Sequence, residues 1–143
     1  MPQDKNSFGD TPTLLGLLLC DQFLDDRRSG KRSLIGLYDQ INTIAFPLQR
    51  DLLVVAMVGG LGENARVGLS LLTPTGNDLL GIEMQPPGGP GKVNEMAFEL
   101  QGLAFPEPGT HWLILRVDGR ELGRRPVNVV KVDPPPQQPI GQA

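Results

Sequence analysis

The sequence has little of what catalytic and metal sites are commonly built from. Its 143 residues include one cysteine and one histidine, and aromatic residues make up only 5%. One cysteine cannot form an intramolecular disulfide, and one cysteine with one histidine does not give the spacing of a local zinc site. The D-x-D-x-D-G pattern of a calcium loop is also absent. We therefore expect no catalytic residues, no cofactor-binding residues and no metal site.

Long apolar runs and excess positive charge are missing too. No segment approaches the roughly 20 apolar residues that span a bilayer. The short run "LLGLLLC" follows the acidic segment "MPQDKNSFGD", and bulky Leu19 before Cys20 argues against a lipoprotein signal. The formal net charge of −3 gives no general attraction to phosphate backbones or anionic membranes. The sequence therefore predicts a soluble, cytoplasmic protein with no nucleic-acid and no membrane partner.

Turn-forming residues are abundant instead. Eighteen glycines and fourteen prolines indicate many turns and short extended segments rather than long helices. We predict strands at 12–24, 31–42, 52–59, 65–73, 78–85, 92–102, 109–118 and 120–132. This pattern favours an all-β fold, an antiparallel β-sandwich of two sheets and about eight strands. It also predicts a flexible N-terminal segment (1–10), a single domain (11–132) and a Pro-rich flexible tail (133–143).

The clearest turn is "VDGR". Asp118-Gly119 suits a two-residue type I′ turn. Its register pairs Val117 with Arg120, Arg116 with Glu121, and Leu115 with Leu122. Arg116 and Glu121 would then form a cross-strand pair of opposite charge, worth about 0.2–1 kcal/mol.

Continuing this register places Arg125 opposite Trp112, where a cation–π contact is expected. It also turns Arg124 inward, and a buried unpaired arginine is too costly. We therefore predict a bulge or a break in pairing near Arg124 to Pro126, where the proline also lacks a hydrogen-bond donor.

Alternation along "HWLILRV" separates two faces. His111, Leu113, Leu115 and Val117 share the inward face. Trp112, Ile114 and Arg116 share the outward face and are candidate contacts for a protein partner. The alternative is that Arg125 or a neighbouring loop covers the tryptophan.

Cys20 and His111 do not suit a catalytic pair. A reactive thiol needs a cation or a helix N-terminus that lowers its pKa, but Cys20 is followed by Asp21. His111 lies among inward leucines, where an imidazole commonly fills space and binds a main-chain carbonyl. We expect both residues to be structural.

Two loop regions are further candidates for binding. The hairpin "DDRRSGKR" presents Arg27, Arg28, Lys31 and Arg32, which could contact an acidic partner or be a solvated tip. The turns "GGLGEN" and "PPGGPGK" could bind a small ligand or a sugar at one end of the sandwich. Four loop acids could converge on calcium there or remain solvated: Asp25, Asp26, Glu63 and Asp78.

The segments "LLGLLLC" and "LLVVAMV" are apolar on both faces. Each is therefore either a strand covered on both sides or part of an interface.

Three segments together resemble an uncharacterised bacterial family of small single domains. They are "LLLCDQFLDDRRSGKRSLIGLYDQI", "FP" at Phe46-Pro47, and "AFPEPGTHWLILRVDGRELGRRPVNV", and the resemblance spans most of 13–131. It implies an immunoglobulin-like or similar β-sandwich and no established activity. His111 stands where members tend to have an inward-packing aromatic residue, which implies a structural role for it.

The sequence thus favours a non-enzymatic interaction or structural module, a subunit of an assembly or a homo-oligomer. A binder of a small ligand, carbohydrate or calcium at the end loops is the alternative, followed by a cysteine-dependent enzyme. No cofactor is expected in the favoured case.

Overall fold

The structure is a computed structural model that describes residues 11–136. These residues contain ten strands and no helix. In chain order they are β1 (Thr13–Cys20), β2 (Gln22–Asp25), β3 (Arg32–Ile35), β4 (Gln40–Thr43), β5 (Leu48–Gly59), β6 (Val67–Leu72), β7 (Asp78–Met84), β8 (Asn94–Phe105), β9 (Gly109–Val117) and β10 (Arg120–Lys131). The all-β prediction is confirmed. Within these described residues no helix could cross a membrane. The predicted flexible segment 1–10, and 137–143 of the predicted tail, lie outside the described residues.

The strands form three sheets rather than the two predicted. One sheet has the order β1-β5-β8, a second has the order β4-β10-β9-β6-β7, and β2 pairs with β3 as a separate hairpin. Every pair is antiparallel except β4 and β10, which run parallel. The prediction of eight antiparallel strands in two sheets is therefore wrong in the number of strands, the number of sheets and one pairing.

The strand count differs because two predicted strands are each divided. The predicted strand 12–24 is interrupted at Asp21, whose backbone N–H donates to the carbonyls of Ile35 and Gly36 at 2.9 and 3.2 Å. Gly36, within the predicted strand 31–42, has a φ of +73°, a left-handed conformation that favours glycine. The chain leaves the hairpin at this glycine and continues as β4 in the five-stranded sheet.

The three-stranded and five-stranded sheets enclose one apolar core. Alternate residues of each strand point into it, as expected for sheets packed face to face. The three-stranded sheet contributes Leu17, Leu19, Leu52, Val54, Ala56, Val58, Met96, Phe98, Leu100, Leu103 and Phe105, and the five-stranded sheet contributes Ile41, Val67, Leu69, Leu71, Leu113, Leu115, Val117, Val127 and Val129. Each fully buried side chain of this kind stabilises the fold by about 1.5–3 kcal/mol relative to exposure.

The β2–β3 hairpin lies on the outer surface of the three-stranded sheet. Phe23 and Leu34 face each other across the hairpin and line a cleft together with Val55 and Met57 of β5. Val55 alternates with the core residue Val54, yet it is only 1% exposed. At Val55, β5 is therefore covered on both sides, as in the first of the two alternatives for its doubly apolar sequence.

The two-residue turn between β9 and β10 forms as predicted. Asp118 and Gly119 have φ angles of +50° and +82°, which both residues of a type I′ turn require. The first two predicted pairs are present, Val117 with Arg120 and Arg116 with Glu121.

The predicted bulge is present and lies at Leu122, close to Arg124. The partner of Leu115 is Gly123 rather than Leu122, so the register shifts between Glu121 and Gly123. A Cβ atom at Gly123 would collide with a methyl group of Leu14, which shows how closely β1 packs against β10 here. The bulge therefore lies beside a close contact between the two sheets.

The bulge turns Arg124 outward and Arg125 toward the facing sheet. Arg125 Nη1 donates to the Leu17 carbonyl at 3.1 Å, while its Nε has no partner among the described residues. The Leu17 carbonyl lies on the free edge of β1, where the Tyr38 N–H also donates to the Leu19 carbonyl at 3.2 Å. Two backbone acceptors of this edge strand are thereby satisfied.

Candidate interaction surfaces

The seven residues predicted to contact a partner lie on opposite faces of the sandwich. Arg27, Arg28, Lys31 and Arg32 belong to the β2–β3 hairpin outside the three-stranded sheet, whereas Trp112, Ile114 and Arg116 belong to β9 and face outward from the five-stranded sheet. The structure does not bring the two groups together. Each group therefore forms its own surface.

The tip of the hairpin is a turn organised by Asp26. Its carboxylate accepts hydrogen bonds from the Arg28 N–H at 2.9 Å and the Ser29 hydroxyl at 3.0 Å. These bonds, that of the Arg28 N–H above all, hold the pKa of Asp26 below its ordinary value. Gly30 closes the turn with a φ of +69°. Arg27 and Arg28 are thus exposed at the end of a well-defined turn.

One of the four hairpin cations is already paired. Arg32 Nε lies 3.2 Å from a carboxylate oxygen of Glu95 on β8, which links the hairpin to the sheet. Among residues 11–136, no carboxylate oxygen lies within 4.0 Å of the charged groups of Arg27, Arg28 or Lys31. These three cations are available to a partner.

The hairpin also has apolar side chains on its solvent side. Because Phe23 and Leu34 point toward the sheet, alternation directs Leu24 and Ile35 away from it. Leu24 and Ile35 are 48% and 45% exposed, and Leu37, just after β3, is 60% exposed. We call these three apolar residues and the three free cations the hairpin surface.

Trp112 is partly covered by an arginine, as one alternative predicted, but the arginine is Arg124 and not Arg125. The guanidinium carbon of Arg124, rather than Arg125, lies 5.7 Å from the centroid of the indole ring. Glu121 holds this guanidinium through Nε at 3.1 Å and through Nη2. The same hydrogen bonds lower the pKa of Glu121 and raise the pKa of Arg124.

Arg116 does not form the expected ion pair with Glu121. The two residues are cross-strand neighbours, but the carboxylate binds Arg124 instead. Arg116 Nη1 donates to the Ser70 hydroxyl of β6 at 2.7 Å. Its guanidinium is therefore held by a neutral partner.

Ile114 is not an exposed contact, so this part of the prediction is wrong. It is 1% exposed although it lies on the outward side of β9. Its neighbours on this face are Trp112 and Arg116 along the strand, and Ser70 and Arg124 across the sheet. Arginine stems are long enough to cover an isoleucine between them, which alternation alone does not indicate.

Cys20 is poorly suited to nucleophilic chemistry. It is 1% exposed at the end of β1, and alternation with Leu19 places it on the outer face of the three-stranded sheet. Burial raises the pKa of the thiol, and the Asp21 carboxylate raises it further. Cys20 and Arg50 line one cleft of about 270 Å³. The guanidinium carbon of Arg50 lies 5.3 Å from the centroid of the Tyr38 ring.

His111 occupies the structural position predicted for it. The ring is fully buried, and its Nδ1 lies 3.2 Å from the Gly109 carbonyl, to which it donates as the neutral tautomer. The ring also packs edge-on against Phe105 with centroids 5.1 Å apart. Nε2 has no hydrogen-bond partner among the described residues. Burial lowers the pKa of the imidazole, and Cys20 is not among the groups that influence it.

The two glycine-rich turns do come together. Residues 61–65, 85, 86 and 88–90 line a cleft of about 260 Å³, the end-loop cleft, whose polar side chains are those of Glu63, Asn64 and Gln85. None of its lining residues is aromatic.

The four acids considered for calcium do not converge: Asp25 and Asp26 are in the hairpin, Glu63 is in the end-loop cleft and Asp78 begins β7. Within residues 11–136, no three His, Cys, Asp or Glu side chains are grouped so as to hold a metal ion.

The apolar part of the hairpin surface was not recognised from sequence. The sequence signal for this surface is the pair of short segments "QFLD" and "RSLI". Each segment has two adjacent apolar residues, which fall on opposite faces of a strand. Because these segments were assigned to the longer predicted strands 12–24 and 31–42, the exposure of Leu24 and Ile35 was not predicted.

Comparison with known proteins relates the chain to a solved structure and to a protein family. Among solved structures, it is similar to an immunoglobulin-like protein from Pseudomonas aeruginosa, with a TM-score of 0.46, 16% sequence identity, and coverage of 84% of this chain and 97% of that chain. No curated protein matches it in sequence. A family model matches residues 15–130, close to the span over which the sequence resembles an uncharacterised family. The chain therefore belongs to the family of unknown function DUF6941.

Proposed function

We propose that this protein is a non-enzymatic interaction module of the cytoplasm that binds a protein partner through the hairpin surface. The observation that carries the proposal is the exposure of Leu24, Ile35 and Leu37. They are three of the seven large hydrophobic side chains that are exposed among the described residues. Apolar residues grouped on one exposed surface are typical of interaction sites.

Burial of this surface is the physical source of affinity. Removing apolar area from water stabilises a complex by about 25 cal/mol per Å². The outer edges of β2 and β3 also carry backbone groups that are not bonded within the two-stranded sheet, so a partner strand can add to the hairpin.

The charge of the hairpin surface defines the partner further. Arg27, Arg28 and Lys31 are free of carboxylates, so a complementary surface has an apolar centre and acidic groups at its rim. A protein of this kind is the proposed partner. Self-association into a homo-oligomer is the other outcome that the experiment below detects.

The non-enzymatic part of the proposal is supported by the two residues most capable of chemistry. The Cys20 thiol is buried with a raised pKa, and the His111 ring is bound to its own strand. Neither environment favours a nucleophile or a general base.

The test is a comparison of matched surface variants. The tagged protein is used to recover a partner from cell extract, and the identified partner is then titrated in purified form. The double variant Leu24→Ser/Ile35→Ser should weaken binding at least tenfold, and Arg27→Glu/Arg28→Glu should weaken it several-fold. Ile44→Ser, which changes a residue that is 52% exposed outside the hairpin, is the control and should bind as the wild type does.

Sedimentation at micromolar concentration examines self-association in the same variants. A monomer that recovers no partner would rule the proposal out. So would a partner whose affinity is unchanged by both hairpin variants.

We also propose a second candidate function, recognition of a small polar ligand or sugar at the end-loop cleft. Its support is that the two turns singled out in the sequence line one cleft with three polar side chains. A thermal-shift screen with sugars, nucleotides and calcium should then show stabilisation that Gln85→Ala reduces. Absence of any shift would count against this candidate.

A further inference from the structure

The hairpin does not seal against the sheet on which it lies. Between them is a cleft of about 380 Å³, the hairpin cleft. Its lining residues are Phe23, Gly30, Lys31, Arg32, Leu34, Val55, Met57 and Glu95. Small-ligand sites in proteins begin at about 300 Å³, so the volume suits an occupant of about ten to fifteen non-hydrogen atoms.

Part of the hairpin cleft is lined by apolar side chains. Phe23 and Leu34 of the hairpin are only half-buried, and Met57 on the floor is also half-buried. Their apolar surface is therefore partly accessible to water, which an apolar occupant would displace. The methyl group of Met57 lies over β1, where a Cβ atom added at Gly16 would be 2.8 Å from it.

The charged groups of the cleft leave one cation uncompensated. Arg32 is paired with Glu95 at 3.2 Å, and these two charges offset each other. Lys31 also lines the cleft and has no carboxylate partner among the residues that the structure describes. The net charge of the lining, +2 from Lys31 and Arg32 and −1 from Glu95, is +1.

We propose that the hairpin cleft binds a medium-chain carboxylate. The alkyl chain lies between Phe23 and Leu34 on one side and Met57 on the other, and the carboxylate meets the ammonium group of Lys31. This combination of apolar walls and one free cation complements an apolar chain with a single negative end. It disfavours a cationic amphiphile, which would bring its charge to the uncompensated ammonium.

This site shares Lys31 with the hairpin surface, but the apolar side chains of the two sites differ. Phe23 and Leu34 point toward the sheet, whereas Leu24 and Ile35 point away from it. Failure of the cleft to bind would therefore leave the proposed partner interaction intact, and the reverse also holds.

The probe is decanoate, titrated below its micelle concentration into protein labelled with ¹³C at the methionine methyl groups. The chain has four methionines, so the spectrum is simple. We expect the Met57 signal to shift saturably, with a dissociation constant of about 0.1–1 mM. The signal of Met96, which is 1% exposed in the core between the sheets, serves as the internal reference and should not shift.

Charge is tested with matched ligands and matched variants. Decanol and decyltrimethylammonium keep the alkyl chain and should bind about threefold to tenfold more weakly than decanoate. Lys31→Glu should weaken decanoate about tenfold and strengthen decyltrimethylammonium, whereas Lys31→Arg should preserve the order. Arg27→Glu makes the same charge change at a hairpin residue that does not line the cleft, and it should leave decanoate binding within about twofold of the wild type.

Three results would overturn the proposal. The first is a Met57 signal that decanoate does not shift. The second is equal affinity for the anionic and cationic ligands. The third is an equal loss of affinity in Arg27→Glu and Lys31→Glu, because binding would then depend on general charge and not on this cleft.

Discussion

The single histidine makes the pH dependence of stability directly interpretable. His111 is fully buried as a neutral ring, and burial lowers its pKa below the ordinary value of 6.5. Well above pH 6.5, as at pH 7.5, the ring is almost entirely neutral in both the folded and the unfolded chain, so its titration has little effect on stability. Below pH 6.5 the unfolded chain binds a proton that the folded chain does not, and unfolding becomes more favourable as the pH falls.

The size of this effect follows from the protonation of one site. If the folded ring stays neutral at pH 5.5, the unfolded chain gains about 1.4 kcal/mol from the proton it binds there. We therefore expect the free energy of unfolding to fall by up to about 1.4 kcal/mol between pH 7.5 and pH 5.5. Asp26 and Glu121 have pKa values lowered from 3.8 and 4.5, so their titration lies below this range.

The matched variant is His111→Phe, with His111→Leu as a second variant. Phenylalanine keeps an aromatic ring against Phe105 and removes the unpaired buried Nε2, which offsets the lost hydrogen bond to Gly109. At pH 7.5 we expect its stability to be within about 1 kcal/mol of the wild type. Its stability should be nearly constant between pH 7.5 and pH 5.5.

The assay is urea denaturation followed by the fluorescence of the single tryptophan, Trp112, at each pH. The reasoning would be refuted if wild-type stability were the same at both pH values. It would also be refuted if both variants lost as much stability as the wild type on acidification.

Three further predictions concern buried or constrained groups. Cys20 should react slowly with a thiol reagent at neutral pH and quickly in urea, because it is 1% exposed; rapid native labelling would contradict this. Gly36→Ala should cost more than 2 kcal/mol in urea denaturation because its φ is +73° and the new Cβ would collide with an aspartate carboxylate. Gly30→Ala, with a φ of +69° and no neighbour within 4 Å, should cost only about 1 kcal/mol, and equal losses would refute the role of the collision. Arg125→Met should lower stability by about 1–2 kcal/mol through loss of its bond to β1, whereas Arg120→Met should change it by less than about 0.5 kcal/mol, a difference that the same assay measures.

The sequence predicts best what depends on neighbouring residues. Alternation along β9 identified His111, Leu113, Leu115 and Val117 as inward, and all four are buried. The turn at 118–119 and its first two pairs also follow from local chemistry. In these places a strand period and a short turn suffice.

Features that depend on distant contacts were not predictable in the same way. The bulge at Leu122 lies next to the contact of Gly123 with Leu14 of the other sheet, a contact between residues far apart in the chain. The first predicted strand likewise divides at Asp21, whose backbone N–H donates to the carbonyls of Ile35 and Gly36.

The candidate sites divide in the same manner. The hairpin cations were found from sequence, and the two glycine-rich turns correctly indicated a shared cleft. The burial of Ile114 and the presence of the hairpin cleft were not predicted from sequence, because both depend on side chains from several strands.

The hydrogen bonds on the outer edge of β1 limit how copies of this domain can join. The Leu17 and Leu19 carbonyls already accept hydrogen bonds from the Arg125 side chain and the Tyr38 N–H. A foreign strand approaching there would have to displace both donors before it could extend the sheet. Strand addition at this edge is therefore opposed twice, and a mutation that removes the guanidinium would leave only the Tyr38 bond to oppose it.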